Sequence, residues 1–504
     1  MYNKVVNDVR RLMHNRVNKP SELCYGNKLI QMIKSLAKHI LLTVMFIALP
    51  GCSSLQFADI FQGYSSQMKS VKAAQRQGNF VMAQSLLNER SASNGSYVLG
   101  LLERGRLEFL ANNWSASQQT FAQAYIEIEE QRNKAKIQIS KGIEKLGAVV
   151  SNDNAISYQV PYYEQGMLHS YQALNYLFQD DLSGALVEIR RANLVQETAL
   201  KVYKDEIYKA ENELQNSGMS TDSLQGGYPN MDKAIGKVKN GFQNAFTFYL
   251  SGILYEASGE FNDAYIDFKR AIEIYPENPY LQQDVLRLAS KLGMQDDLIS
   301  FQQRFGKYQS KESTGQGKIV VLVERDIVNS KQDVGLNLPV GSSSYGLKFF
   351  SFSLPVYEGA LSQHNKLTLQ NAGQSYQTNE IVRIQSLAAK DLKDQLPSLL
   401  TRQVVRVVAK EQVRQKLSRE AGNVGNILAS IYNIASEKAD TRSWSTLPDQ
   451  VDIIRFDTSS GKQVLQMQVD GQQKSIEIDV QPNRITLINI SAIGSHFGYQ
   501  TVNL

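Results

Sequence analysis

Apolar and polar positions give the chain two textures. From residue 68 to 309 apolar residues recur at three- and four-residue intervals, the period of helices with one buried stripe. From 318 onwards short β-branched runs alternate with polar turns, the texture of strands. The helical signal is densest at 245–278, AFTFYLSGILYEASGEFNDAYIDFKRAIEIYPEN. There Phe248, Tyr255, Phe268 and Ala271 fill a seam, while Gly252 and Ala264 are small where two helices cross closely. Gly259 suits a left-handed helix end and Pro276 stops the second helix, so the stretch predicts a helical hairpin.

The intervals between Phe248, Gly252, Tyr255, Ala264, Phe268, Ala271 and Pro276 resemble those of a tetratricopeptide repeat. One hairpin cannot bury its own apolar face, so neighbours are expected. The interval recurs at 68–89 (Gly78, Phe80, Ala83, Leu87) and at 97–130 (Leu101, Gly105, Glu108, Trp114, Ser117, Phe121, Ala124). It recurs again at 169–197 (Ala173, Tyr176, Leu182, Ala185, Ile189, Ala192). The helical stretches 132–152 and 195–215 are longer than standard turns, which makes the array irregular. The Gly- and Ser-rich 217–228 predicts an exposed loop, and 280–292 predicts a capping helix.

After a polar linker at 310–317, KIVVLVE (318–324) predicts a buried strand, and 335–354 predicts strands and loops. Helices are expected at 387–420, with Pro397 as a start or kink, and at 426–438 after Gly422 and Gly425. Strands follow at 453–456, 464–469, 476–480 and 485–490, with Asp470 and Gly471 as a hairpin turn. The expected fold class is multidomain α+β. An α-helical tetratricopeptide-like solenoid (68–309) precedes a smaller mixed domain, a β-sandwich or sheet packed with long helices (318–504).

The N-terminus changes the reading of charge. Residues 32–51 read as a short basic region and an apolar run too short to span a bilayer, ending at Leu49-Pro50-Gly51-Cys52. These four residues resemble a bacterial lipobox, which implies a signal peptide in 1–51, cleavage between Gly51 and Cys52, and acylation of Cys52. Ser53 then implies outer-membrane sorting, and 52–67 reads as a tether. Residues 1–31 suggest an upstream mis-assigned start with Met32 the initiator, or an unusually long basic signal region. The chain's net charge is +5, but residues 1–51 hold eight Lys and Arg against two Asp and Glu, leaving the remainder near neutral. The basic balance is thus no evidence for a nucleic-acid partner.

Candidate chemistry is sparse. Beyond residue 51 the histidines are His169, His364 and His496, far apart, and no paired Cys or His spacing suggests a metal site. There is no nucleophile elbow, Walker loop or dinucleotide fingerprint, so no catalytic, cofactor-binding or metal residue is assigned. Arg402, Arg406, Lys410 and Arg414 fall on one helical stripe. It reads as a solvated face or as a site for an anionic partner. In 440–448, DTRSWSTLP, Asp440 and Arg442 can pair while Trp444 anchors a connection in a core.

The lipobox, the irregular array and the tail segments KIVVLVE, AAKDLKDQLPSLLTRQVVR and DTRSWSTLPDQV together resemble an uncharacterised family of proteobacterial tetratricopeptide-repeat lipoproteins. The resemblance implies an envelope component at the periplasmic face of the outer membrane, held by acyl chains on Cys52. The expected function is a scaffold whose concave helical surface binds a protein partner, without a cofactor. The alternative is a cell-wall or polysaccharide-related enzyme or activator acting through the C-terminal domain.

Overall fold

The computed structural model describes residues 63–140, 156–224, 226–308, 315–342, 346–436, 438–469 and 472–504. Five helical hairpins follow one another in these residues. They are α1 (Tyr64–Arg76) with α2 (Phe80–Ser85), α3 (Tyr97–Leu110) with α4 (Trp114–Ser140), and α5 (Tyr162–Leu177) with α6 (Leu182–Asn216). After a single turn, α7 (Asp232–Ile235), come α8 (Ala245–Ala257) with α9 (Phe261–Ile274), and α10 (Pro279–Lys291) with α11 (Gln295–Phe305).

All five turns are built alike. Each has one residue with positive φ: Gly78, Asn112, Asp180, Gly259 or Gly293. The next residue's N–H returns to a carbonyl in the helix just ended: Asn79 to Ala74, Asn113 to Glu108, Asp181 to Tyr176, Glu260 to Tyr255, Met294 to Ala289. This closes carbonyls that the helix end leaves unpaired. Gly takes the left-handed conformation freely, and Asn112 and Asp180 take it because short polar side chains tolerate it.

The helix crossings are equally repetitive. A Cβ on Gly252 would lie 2.7 Å from the Phe268 ring, and one on Gly105 would lie 2.8 Å from Phe121 at the same sequence interval. Asn244 caps α8 by accepting from the N–H groups of Phe246 and Thr247.

Three boundaries differ from expectation. The first hairpin begins at Tyr64, inside the stretch read as a tether, and the third begins at Tyr162 rather than near His169. The helix expected to cap the array instead opens a fifth hairpin with α11. The described residues of the 217–228 stretch are mostly exposed, as expected, with a 3-10 turn (Thr221–Leu224) and two buried apolar anchors, Met219 and Leu224.

The remaining chain contributes β1 (Gln316–Arg325), β2 (Gln332–Ser342), β3 (Gly346–Val356), β4 (Thr368–Asn371), β5 (Gln374–Gln377) and β6 (Asn379–Arg383). The helix α12 (Ile384–Ser436) follows, then β7 (Gln450–Ser459), β8 (Gly461–Val469), β9 (Gln472–Val480), β10 (Ile485–Ile493) and β11 (His496–Asn503). One sheet has the order β11-β10-β1-β7-β6, a second has β5-β4-β8-β9, and β2 pairs with β3 alone. Asp470 and Gly471 themselves lie outside the described residues, although β8 and β9 pair antiparallel on either side of them.

The central strand β1 runs parallel to β10 and antiparallel to β7. Its Val320 and Leu322 join the helical core, while Ile319, Val321 and Val323 join a second core with Leu465, Met467 and Ile476 of the four-stranded sheet. Burial on both faces accounts for the unbroken apolar run in KIVVLVE. Helices, five-stranded sheet and four-stranded sheet therefore form three layers, and the described residues make one compact unit.

A single helix, α12, replaces the two expected helices. It continues through Pro397, Gly422 and Gly425. Leu387, Ala388, Leu392, Leu396, Leu400 and Val404 are buried along it, and this packing outweighs the helix-breaking cost at Pro397, about 3 kcal/mol.

Candidate functional site

The array presents two rows of helices with different surroundings. The first helices, α1, α3, α5, α8 and α10, face the chain's own later segments through buried polar side chains. In α1, Lys72 donates to Val328 O at 2.5 Å and Gln75 to Thr446 O at 3.0 Å. In α3, Glu103 accepts from the N–H groups of Ser445 (2.6 Å) and Thr446 (2.9 Å), the Thr446 hydroxyl (2.6 Å) and Tyr64 (3.0 Å). Burial pushes this carboxyl up and the four donors pull it down, leaving it at about 7. In α5, Glu164 accepts from the Trp444 N–H at 3.0 Å, and Tyr171 donates to Glu324 at 2.9 Å. Arg106 completes this contact with a buried ion pair to Glu324.

The 440–446 segment is the hub of the junction. Arg442 pairs with Asp440 at 2.7 Å and donates to the carbonyls of Gly95 (3.2 Å) and Ile156 (2.8 Å). Trp444 is 1% exposed and packs edge-on to Phe121 and Tyr171. Asp440, Arg442 and Trp444 thus anchor this connection in the core. At the other end, Arg455 of β7 meets Glu256 of α8 (2.8 Å) and Asp284 of α10 (3.1 Å), while Arg287 bonds the same two carboxylates. Desolvation raises Glu256, but Arg455 and Arg287 outweigh it and hold the group at about 2.

The second helices behave differently. Within the array, the exposed large apolar side chains among the described residues all lie on them or at their caps. They are Val81, Met82 and Leu86 at α2, Ile126 on α4, Val187, Leu194, Leu200 and Tyr208 on α6, Ile266 on α9, and Met294 and Ile299 at α11. The inner row, expected to hold a partner, is occupied by the chain itself. The outer row carries these exposed apolar side chains among charged ones such as Arg190, Lys201 and Asp263.

A cleft of about 500 Å³ lies where α4, α6 and α12 meet residues 159–162. Its apolar wall includes Ile128, Val160, Pro161 and Ile207, and its polar wall includes Arg132, Gln165, Glu206, Asp391 and Asp394. Asp394 accepts from the Tyr203 hydroxyl at 3.0 Å, and Asp391 accepts from Gln395 at 2.7 Å. Burial pushes Asp391 up to about 7 against the pull of Lys331. Gly241 permits the close approach behind this site, since a Cβ there would lie 2.6 Å from Asp391 Cα. The arrangement can bind a polar or cationic group against an apolar wall. Nothing in the local sequence marks it, because its residues come from separate helices.

The residues singled out by sequence fall in separate places. Phe248, Gly252, Tyr255, Ala264, Phe268 and Ala271 are all buried, and Pro276 follows the end of α9. Gly51 and Cys52 lie outside the described residues. In the stripe, Arg406 and Lys410 are buried and Arg402 is half-buried, donating to Ser398 at 2.9 Å. The stripe is therefore not a solvated face, because α12 is drawn into the core rather than lying on the surface; the Arg414 side chain lies outside the described set. His169 bonds Glu188 and His364 bonds Asp449, each at 2.7 Å.

No family model matches the sequence, and no curated protein matches it. Among solved structures, a crystal structure of MamA aligns at 11% identity over 47% of this chain and 93% of MamA, with a TM-score of 0.26. A fragment of MamA from Desulfovibrio magneticus RS-1 aligns at 10% identity over 47% of this chain and 89% of the fragment, with a TM-score of 0.25. The TPR2AB domain of yeast Sti1, in complex with pHSP90, aligns at 11% identity over 47% and 88%, with a TM-score of 0.18. Likenesses at these TM-scores carry no functional argument.

Proposed function

We propose that the chain is a lipid-anchored scaffold of the cell envelope. Acyl chains on Cys52 hold it at the periplasmic face of the outer membrane, and the outer row of its helical array binds a protein partner. One observation carries the reading: the inner row is covered by the chain's own later segments, the 440–446 connection and β7 among them, while the outer row bears the array's exposed apolar side chains among the described residues. Removing exposed apolar side chains such as these from water favours association with a partner. Leu194→Glu combined with Ile266→Glu is expected to abolish co-purification of the partner while leaving the melting temperature unchanged. Undiminished recovery would count against the outer row.

The anchor has its own support in the lipobox residues 49–52, and each acyl methylene buried in a membrane contributes roughly 0.8 kcal/mol. Cys52→Ala is expected to leave an uncleaved precursor that incorporates no labelled fatty acid. Continued labelling contradicts the anchor.

The cleft at Asp391 favours a second reading, a cell-wall or polysaccharide-related enzyme or activator. On that reading, purified cell wall releases soluble fragments with the native chain and not with Asp391→Asn. Absence of release from both sets it aside.

A further inference from the structure

The strand β11 ends the five-stranded sheet, with β10 as its one neighbour among the described residues. Leu504 N–H donates to Ile485 O at 2.8 Å, and the antiparallel register continues from Thr486 opposite Asn503 to Ile493 opposite His496. Bonding alternates along such a ladder. Residues 498, 500 and 502 therefore bond β10, and the N–H and C=O groups of Phe497, Tyr499 and Thr501 point away from the sheet. None of these has another backbone partner among the described residues.

An open edge of this length normally carries charge, Pro or a bulge to prevent pairing. The other outer strands follow that rule: β6 has Glu380, Arg383 and a register shift, β9 has Lys474, Glu477 and Asp479, and β5 is only four residues long. In contrast β11, HFGYQTVN, has no fixed charge, no Pro and no break in register. Beside it a groove of about 310 Å³ runs along the α1–α2 turn and the end of α3, with Phe80, Val81, Phe109, Leu110 and Tyr499 in its walls. None of its lining residues is Asp, Glu, Lys or Arg. His496 stands edge-on to Phe80 at 4.8 Å, and Val81 is 74% exposed.

We propose that β11 receives an extended, uncharged segment of a protein partner as an added strand, with alternate side chains entering the groove. Main-chain hydrogen bonds supply affinity in this mode, and pockets beside the edge select side chains. The uncharged edge and groove choose the occupant's chemistry, because a charged side chain placed there would lose water without gaining a counter-ion. The proposal rests on the reading of the chain as a protein-binding scaffold. The groove meets the outer helical row only at the α1–α2 turn, through Val81, while Leu194 and Ile266 are not among its lining residues, so either surface can fail alone.

The test uses the purified full chain and an N-acetylated, C-amidated Thr-Val-Thr-Val-Thr-Val peptide, followed by amide hydrogen exchange. Saturable slowing of exchange across 497–503, by about tenfold or more, is expected. A peptide with Pro at its third and fifth positions should give none. Thr501→Pro removes one outward donor and leaves the β10 ladder bonds of residues 500 and 502, so it should lose the protection, while Thr501→Val keeps it. If Thr501→Pro fails to fold, Val81→Glu in the groove serves instead and should weaken binding at least tenfold. Equal protection in the native and substituted chains overturns the proposal, as does no protection of the native chain. A dimer in which β11 is already protected assigns the edge to a second copy and overturns it too.

Discussion

Arg455 of β7 and Glu256 of α8 form a buried ion pair at 2.8 Å across 199 residues of sequence, joining the five-stranded sheet to the helical array. Removing one partner strands the other charge out of water. Arg455→Met is expected to destabilise the fold by about 3–5 kcal/mol. Adding Glu256→Gln should recover part of that loss, because Asp284 and Arg287 remain balanced; the coupling should exceed about 1 kcal/mol in urea unfolding. Additive losses would show that the pair does not join the layers.

The buried carboxyls give stability a pH dependence of defined sign. Glu256 is held at about 2 against a usual 4.5, so its contribution is full above pH 4.5 and is lost as pH falls toward 2. Glu103 and Asp391 are raised to about 7 from 4.5 and 3.8. Their contribution is full below those usual values and is lost as pH rises through 7. Stability should therefore fall between about pH 5 and about pH 8, and Asp391→Asn should flatten that fall. Chemical denaturation across this range measures the slope, and an identical slope in the variant contradicts the assignment.

Gly252 touches the Phe268 ring so closely that a methyl group has no room. Gly252→Ala should lower stability by about 1–3 kcal/mol, as overpacking does, although Ala is the better helix former. Gly105→Ala should do the same against Phe121. Thermal unfolding decides it. A stabilised variant would mean that helix propensity, not packing, governs the crossing.

The Thr446 hydroxyl is one of four donors that Glu103 accepts. Thr446→Val keeps the backbone donor and removes the hydroxyl, so a loss of about 0.5–1.5 kcal/mol is expected. The pKa of Glu103 should also rise, which carboxyl signals in a pH titration can follow.

Local pattern carried a good part of this fold. The hairpin at 245–278 was legible because its small, aromatic and turn residues all fall at one interval, and β1 was legible from its apolar run. The occupied inner row was not. Glu103 and Ser445 are 342 residues apart, and neither peptide N–H groups nor a buried Glu leaves a periodic signal. Pro397, Gly422 and Gly425 suggested two helices where α12 runs unbroken, because tertiary burial overrides propensity. The strand β11 escaped notice because its β-branched residues are only Thr501 and Val502, at its end, and the cleft because Arg132, Glu206 and Asp391 come from three distant helices.

The most direct measurement places a photo-crosslinking amino acid at Leu194 or Ile266 on the outer row, and at buried Leu102 as a control, in intact cells. Recurrent capture of one envelope protein from both outer positions, and from neither control nor unirradiated cells, is the expected result. Recovery of the chain alone from both outer positions, under conditions that trap established lipoprotein complexes, would contradict the scaffold.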